Sequence, residues 1–188
     1  MKKQKLKILL IGPCGTGKTS IANTLSDNGP KWKADGSFKL GPTKALRIVE
    51  FDYPDLNVNN EHITAEIELW DTSGDDQYKL TWPALRHETH GVIFVYSRNS
   101  TETNRKLEIF YNYFVTQPKL SARQCFVINH ILPNNESDIE MDIVKLSPTF
   151  AKLSQIKVNL SENSLKLKND FRVYVTSLLS TLKNHRKE

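Results

Sequence analysis

The segment KLKILLIGPCGTGKT, residues 5–19, joins an apolar run to a glycine-rich loop. The run over residues 6–11 predicts a buried strand, and a helical pattern follows over residues 18–26. The loop between them, Gly12 to Thr19, fits the pattern G-x-x-x-x-G-K-[ST] in full. Its glycines let backbone N–H groups turn inward onto phosphate oxygens, and the helix N-terminus adds partial positive charge. A loop that only caps a helix needs neither Lys18 nor Thr19, so we interpret this loop as a phosphate-binding cradle.

Strand-like and helix-like segments alternate along the rest of the chain. Strands are predicted over residues 6–11, 45–53, 63–70, 91–97, 124–129 and 156–160, and helices over 18–26, 77–87, 102–115 and 165–182. This order predicts a three-layer α/β fold with a six-stranded, mostly parallel sheet and ligands at the carboxyl ends of the strands. Residues 54–62 are too few for a crossover helix, so the second and third strands should form an antiparallel pair at one edge. The third strand alternates in hydropathy, as a half-covered or edge strand does.

The composition is that of an ordinary folded domain. With 188 residues, 38% of them hydrophobic and 25% charged, we expect one domain over residues 1–188. The net charge of +5 lies mainly in short basic tails, which indicates solvated ends and no nucleic-acid partner. The apolar runs are shorter than the roughly 18 residues of a membrane span, and no lipidation signature is visible, so we expect a cytoplasmic protein without a membrane anchor. Cys14 and Cys125 lack metal-ligand spacing, which argues against zinc and a disulfide framework.

A polyphosphate site also needs groups that hold Mg²⁺. The Thr19 hydroxyl would be one ligand, while Lys18 would reach the β- and γ-phosphates. Asp71 follows the third strand and opens the tetrapeptide DTSG, residues 71–74, which places a carboxylate beside the cradle. Gly74 could offer its N–H to the γ-phosphate, although a D-x-x-G sequence can also be a plain turn. Thr43, in the irregular stretch before the second strand, is either a second metal-contacting hydroxyl or an ordinary loop threonine.

These residues resemble the Ras-like small GTPases, which share the P-loop NTPase fold. Within that family the resemblance extends to the Rab-like proteins of intraflagellar transport through GPC (12–14), PT (42–43), RIVEF (47–51), ELWD (68–71), WPAL (82–85) and HGV (90–92). The nucleotide-binding residues that the resemblance implies are Gly12, Pro13, Cys14, Gly15, Thr16, Gly17, Lys18, Thr19, Ser20, Thr43, Gly74, Asn129 and His130.

The resemblance also implies ligands, partners and a place in the cell. The bound ligand would be GTP or GDP, with Mg²⁺ held by Thr19, Thr43 and Asp71. The partners would be coiled-coil subunits of the intraflagellar transport B complex. The protein would then work at the cilium or flagellum and its base, and would be needed for the assembly of that organelle.

The sequence departs from the family at positions that serve hydrolysis. Cys14 stands where active members have a small glycine, and Asp75 stands where they carry the glutamine that orients the attacking water. A carboxylate cannot donate a hydrogen bond, and it adds negative charge beside the γ-phosphate. Gln77 is two residues away and is a poor substitute, because a displacement of about 1 Å can cost about 10²-fold in rate. We expect slow or absent GTP hydrolysis and assign no catalytic residue.

The base-recognition motif is also altered. Where the family has N-K-x-D, this chain has Asn129, His130, Ile131 and Leu132, and Leu132 cannot accept guanine N–H bonds. Asn129 could brace the cradle, and His130 could stack on the purine or lie at the surface. Residues 134, 136 and 138 are candidate replacement acceptors. Phosphate and metal contacts do not depend on the base, so we expect binding with weaker discrimination.

Three functions remain open from the sequence. The first is a GTP-dependent binding switch in which the γ-phosphate orders residues 28–44 and the loop around Gly74, with Trp82 and Pro83 either forming part of the partner surface or packing internally. The second is a P-loop nucleoside or nucleotide phosphotransferase, although the long loop 132–153 contains no arginine for a phosphate lid. The third is a nucleotide-free scaffold domain.

Overall fold

The computed structural model describes residues 2–27, 43–97, 100–132 and 145–185. Most of the stretch expected to respond to a γ-phosphate, residues 28–42, lies outside these ranges. The candidate base acceptors at residues 134, 136 and 138 also lie outside them.

Six strands form one sheet in the order β2-β3-β1-β4-β5-β6. The strands are β1 Lys2–Ile11, β2 Leu46–Val58, β3 Glu61–Thr72, β4 Gly91–Tyr96, β5 Cys125–His130 and β6 Ser154–Val158. β2 pairs antiparallel with β3, and every other neighbouring pair is parallel. This confirms the expected α/β fold with a mostly parallel sheet and one antiparallel edge strand.

The β2–β3 hairpin is longer than predicted. The strands continue through residues assigned to a connection and leave only Asn59 and Asn60 as the turn, with φ of 53° and 64°. Two positive φ values are typical of a type I′ turn, whose twist matches that of the strands, and asparagine tolerates this conformation. A register irregularity between Tyr53 and Leu56 accommodates the extra residue. The prediction of a loop over 54–62 was therefore wrong.

The alternating strand β3 lies inside the sheet, between β2 and β1. Its buried positions alternate with half-buried ones, so the half-covered interpretation is correct and the edge interpretation is wrong. Among the described strands, β2 lies at the outer edge of the sheet and pairs only with β3.

Five α-helices are present in the described ranges: α1 Lys18–Leu25, α2 Trp82–Arg86, α3 Thr101–Tyr111, α4 Pro148–Ala151 and α5 Leu160–His185. The predicted helix 77–87 is divided into a 3₁₀ helix, Asp76–Thr81, and α2, which begins at a proline-containing first turn. A π-helical turn, Asn112–Thr116, continues α3. α4 was not predicted, and α5 begins five residues before the predicted start. None of the helices described here is both long and apolar enough to cross a bilayer.

Two apolar layers cover the faces of the sheet. β1 illustrates the division, since Leu6, Ile8 and Leu10 face α1 and α5, whereas Leu9 and Ile11 face α2, α3 and α4. The predicted apolar stripe of α5 is confirmed as a packing face. Its members are Leu167, Phe171, Tyr174, Val175 and Leu178, all buried, and the partly buried Leu182.

Trp82 is partly buried and packs against neighbouring aromatic side chains. Its ring lies 5.1 to 5.5 Å from the rings of Phe110, Tyr113 and Phe114. The packing interpretation of this residue is thus correct, and it ties α2 to α3.

Gly91 provides a test of this packing. A Cβ at this position would lie 2.3 Å from Tyr174 Oη, which donates a hydrogen bond to the Gln124 carbonyl. Gly91→Ala should therefore reduce the free energy of unfolding by about 2 kcal/mol, measured by urea denaturation. Tyr174→Phe removes the clashing oxygen and should cost about 1 kcal/mol alone. The double variant should lose less than the sum of the two single losses, and strict additivity would contradict the steric explanation.

Candidate nucleotide site

The glycine-rich cradle lies between the carboxyl end of β1 and α1. Gly17 is the N-cap of α1 with a φ of 80°, and a Cβ there would lie 2.3 Å from His130 Nδ1. Both the backbone conformation and the close approach of His130 therefore require glycine. The first turn of α1 contains no acidic residue, so its positive end is available to an anion.

A cavity of about 360 Å³ opens above the cradle. It is lined by Cys14, Gly15, Gly17, Lys18, Thr19, Ser20, Thr43, Thr72, Ser73 and Gly74. The structure thus brings together most of the residues expected from the sequence. Among the others, Gly12, Pro13 and Thr16 contribute carbonyl oxygens to hydrogen bonds, while Asn129 and His130 are not among the lining residues.

Lys18 is held against the cradle backbone. Its Nζ donates to the carbonyls of Gly12 at 2.9 Å and Pro13 at 2.8 Å, and the residue is only 6% exposed. Burial lowers the pKa of Lys18 to about 8, although nearby Asp71 opposes this shift. The site therefore holds a largely desolvated ammonium group that a polyphosphate would stabilise in its charged form.

Thr19, Thr43 and Asp71 form an oxygen cluster beside Lys18. Thr19 Oγ1 donates to Asp71 Oδ2 at 2.8 Å and lies 2.8 Å from Thr43 Oγ1, which also donates to Asp71 Oδ2 at 3.5 Å. Asp71 is fully buried, and its Oδ1 has no hydrogen-bond partner among the residues that the structure describes. Burial raises the pKa of Asp71, while the Thr19 hydrogen bond and the charge of Arg47 lower it. Two hydroxyls and a carboxylate with an unpartnered oxygen are hard ligands that suit Mg²⁺.

The DTSG segment connects the cluster to the surrounding strands. Thr72 Oγ1 donates to the Leu10 carbonyl, and Ser73 N–H donates to the Ala45 carbonyl at 2.9 Å. Gly74 lies against the cradle, where a Cβ would be 2.5 Å from Cys14 N and Gly12 O. Thr72 and Ser73 line the cavity but had no predicted role, although their position beside Asp71 was a usable signal.

Asp75 and Gln77 contact one another. The Asp75 carboxylate accepts hydrogen bonds from Gln77 N–H at 3.0 Å and from Gln77 Nε2 at 2.7 Å, and so caps the 3₁₀ helix. Neither residue is among those that line the cavity. The Asp75 carboxylate, which stands where active relatives carry glutamine, therefore has a structural role here, and it also engages the Gln77 amide.

His130 supports the cradle from below. It is 4% exposed, and its Nδ1 lies 2.9 Å from the Thr16 carbonyl, so Nδ1 carries the proton and donates. Burial lowers the pKa of His130, which favours the neutral ring. The surface interpretation of His130 was wrong. Because side chains alternate along β5, position 130 faces the cradle, where His130 contacts Thr16; the bracing role of Asn129 stays a prediction.

Arg47 joins the site from β2. It is paired in register with Asp71 on β3, and its Nε lies 3.6 Å from Asp71 Oδ2. No role in the site was predicted for Arg47, because its contact with Asp71 depends on the strand register.

The fold and the site define a Ras-like small GTPase. Residues 7–132 match the family described as Roc, the Ras of Complex domain of DAPkinase. The chain is 34% identical to the intraflagellar transport protein 22 homolog of Homo sapiens, over 97% of this chain and 94% of the relative. It is 35% identical to intraflagellar transport protein 22 of Chlamydomonas reinhardtii, over 68% of this chain and 62% of the relative.

Solved structures share the fold. The GTP-bound crystal structure of T. brucei IFT22/74/81 contains a chain with a TM-score of 0.72 and 19% identity, covering 97% of this chain and 99% of that one. The GDP-bound T. brucei IFT22 structure has a TM-score of 0.67 and 20% identity, covering 94% and 97%. This chain belongs to the intraflagellar transport protein 22 family of small GTP-binding proteins. The Ras-like resemblance is confirmed, as is the narrower resemblance to Rab-like protein five, the small G protein subunit of the intraflagellar transport B complex, which is this family.

His130 should make stability depend on pH. Its folded pKa is depressed below the usual value of about 6.5, so the unfolded chain binds more protons as pH falls below 6.5. The free energy of unfolding should therefore decrease from pH 7.5 to 5.5, with at most about 1.4 kcal/mol due to His130. In His130→Gln, the free energy of unfolding, measured by urea denaturation at pH 7.5 and 5.5, should fall by less than in wild type, because the His130 contribution is absent. His87→Gln, at a side chain that is 78% exposed, should keep it. Equal pH dependence in wild type and His130→Gln would contradict the prediction.

Proposed function

We propose that this chain is an atypical small GTP-binding protein that acts as a nucleotide-dependent binding switch in intraflagellar transport. The observation that carries the proposal is the cluster of the buried Asp71 carboxylate with the partly buried hydroxyls of Thr19 and Thr43, beside the buried Lys18. Burying Lys18 and Asp71 costs free energy that their contacts within the protein do not fully offset. A scaffold domain that binds no polyphosphate would gain nothing from this cost, whereas a nucleotide site would.

The cradle residues have separate roles in this proposal. Backbone N–H groups between Gly12 and Thr19 would bind the α- and β-phosphates, and Lys18 would reach the β- and γ-phosphates. Thr19, Thr43 and Asp71 would hold Mg²⁺, which when bound neutralises phosphate charge. Ser20, Cys14 and Gly74 would complete the phosphate wall, since all three line the cavity.

The two segments that would sense a γ-phosphate meet at this site. Thr43 bonds to Thr19, and the Ser73 N–H reaches the Ala45 carbonyl just beyond Thr43. A γ-phosphate bound between Thr43 and Gly74 would therefore fix both segments relative to the cradle. Loss of that phosphate would release them, which is the usual basis of a nucleotide switch.

Base selectivity should be weaker than in typical relatives. Leu132 replaces the carboxylate that pairs with guanine, and its side chain lies near Gly17 instead of offering an acceptor. His130 is engaged with Thr16 beneath the cradle, so its contribution to nucleotide binding would be indirect. Asn129 remains a candidate contact of the nucleotide from the same strand end.

Hydrolysis should be slow or absent. The Asp75 carboxylate has no hydrogen to donate to an attacking water, and Gln77 donates its amide to Asp75. Cys14 adds a side chain at the edge of the cavity where an arginine from a partner would have to approach. At most, the protein would convert GTP to GDP and phosphate slowly.

The family supports a proposal for the partners of this chain and for its place in the cell. The T. brucei relative forms a complex with IFT74 and IFT81 in its GTP-bound crystal structure. By analogy, the partners of this chain would be coiled-coil subunits of the intraflagellar transport B complex. The chain would act as one domain in the cytoplasm and at the cilium or flagellum and its base, without a membrane anchor or nucleic acid, and would support assembly of that organelle.

Nucleotide titration tests the proposal. Wild-type protein should bind Mg²⁺-GTP and Mg²⁺-GDP in isothermal titration calorimetry, with ATP binding more weakly. Lys18→Ala should weaken binding by about 100-fold, because it removes charged hydrogen bonds to phosphate. Lys183→Ala is the matched control, since Lys183 pairs with Glu61 far from the cradle. Absence of binding in wild type would favour a nucleotide-free scaffold domain. Phosphoryl transfer to a nucleoside acceptor would favour a P-loop phosphotransferase.

Single-turnover hydrolysis tests the role of position 75. Wild-type protein should hydrolyse bound GTP no faster than about 10⁻⁴ s⁻¹, and Asp75→Gln should raise the rate by roughly tenfold. Asp76→Gln provides the same change of charge one residue away, at a side chain that is 59% exposed, and should leave the rate unchanged. Rapid hydrolysis by the wild type would contradict the assignment.

A further inference from the structure

Arg47 connects three parts of the site. Its Nε lies 3.6 Å from Asp71 Oδ2, and its Nη2 donates to Asn23 Oδ1 at 2.7 Å. Asp71 is at the end of β3, Asn23 is on α1, and Arg47 is near the start of the edge strand β2. One guanidinium therefore touches the carboxylate of the proposed metal site and the helix that follows the cradle.

Asp71 needs positive charge in its surroundings. The residue is fully buried, and within the described part of the chain its Oδ1 has no hydrogen-bond partner. A buried carboxylate without compensation strongly destabilises a fold. The Arg47 Nε is likewise buried without a hydrogen-bond acceptor, so this pair interacts through charge at 3.6 Å. The Arg47 side chain is 39% exposed, so water weakens the interaction without removing it.

A bound dication would compete with this arrangement. Mg²⁺ held by Asp71, Thr19 and Thr43 would be repelled by a guanidinium that already contacts the same carboxylate. Arg47 thus stabilises the site without metal and opposes the site with metal. Both effects reduce the increase in nucleotide affinity that Mg²⁺ produces.

We propose that Arg47 is a positioning residue whose charge replaces part of the Mg²⁺ charge at Asp71, and that it lowers the Mg²⁺ dependence of guanine nucleotide binding. Asn23 keeps the guanidinium in place by accepting its hydrogen bond. The inference rests on the proposed function, because it concerns the metal of that same site.

Release of N-methylanthraniloyl-GDP over a range of Mg²⁺ concentrations tests the inference. In Arg47→Gln, the Mg²⁺ concentration that gives half-maximal slowing of release should fall roughly tenfold, and release in EDTA should become faster. Asn23→Ala should shift both quantities in the same direction by a smaller factor. Arg172→Gln is the control with equal charge loss, since Arg172 contacts the Pro54 and Asp55 carbonyls on the hairpin, and it should match wild type. An unchanged Mg²⁺ midpoint in Arg47→Gln would overturn the inference.

A second experiment needs neither nucleotide nor metal. Thermal unfolding in EDTA is measured for wild type, Arg47→Gln, Asp71→Asn and the double variant. Arg47→Gln should lower the melting temperature when Asp71 is present and should have little effect in the Asp71→Asn background. If Arg47 and Asp71 remain coupled in thermal unfolding but the protein binds no guanine nucleotide, the proposed function would be wrong and the interaction between the two residues would stand. Nucleotide binding with additive single effects would overturn the role of Arg47.

Discussion

The buried charge of Asp71 is the constraint on which the site depends. A carboxylate with no exposure to solvent must find its compensation within the protein, and here it is surrounded by a hydroxyl donor, a lysine and an arginine. Thr19 and Lys18 lie where the cradle runs into α1, and Arg47 lies on β2, so the charge of Asp71 on β3 draws two other segments towards it. Among the described residues, Asp71 Oδ1 still has no hydrogen-bond partner, and this oxygen could bind a cation.

The sheet places this charge where a phosphate ligand can meet it. β1 and β3 are parallel neighbours, so the cradle and the DTSG segment emerge at the same edge. His130, at the end of β5, supports the cradle through the Thr16 carbonyl and occupies the space beneath Gly17. The residues expected to bind the phosphates are thus supported by contacts within the protein. At the position of the base-recognition carboxylate of typical relatives, this chain has Leu132. This arrangement is the basis of the proposal that the protein binds nucleotide but has weak base selectivity and slow turnover.

Sequence patterns predicted the elements well where the pattern was long and local. The strands, α1 and the apolar stripe of α5 follow from hydropathy and were correct within a few residues. The predicted loop over 54–62 was wrong because a turn of two asparagines needs no glycine or proline to reverse the chain. Helix 77–87 is divided because a capped 3₁₀ turn precedes the proline of α2. The proximity of Thr43, Thr19 and Asp71 was expected only from resemblance, since a loop threonine carries no signal of its own.

The sequence by itself determined the cradle, the helix that follows it and the class of fold, because these depend on contiguous residues whose backbone preferences and hydrophobic periods act locally. The tertiary structure alone decided that His130 contacts the cradle, and that Arg47 lies beside the charge of Asp71. His130 meets Thr16 across 114 positions, and Arg47 meets Asn23 across 24. Contacts between residues so far apart in sequence depend on strand register and on the face of the sheet that each side chain occupies. Both are decided only when the sheet assembles around the buried charge of Asp71.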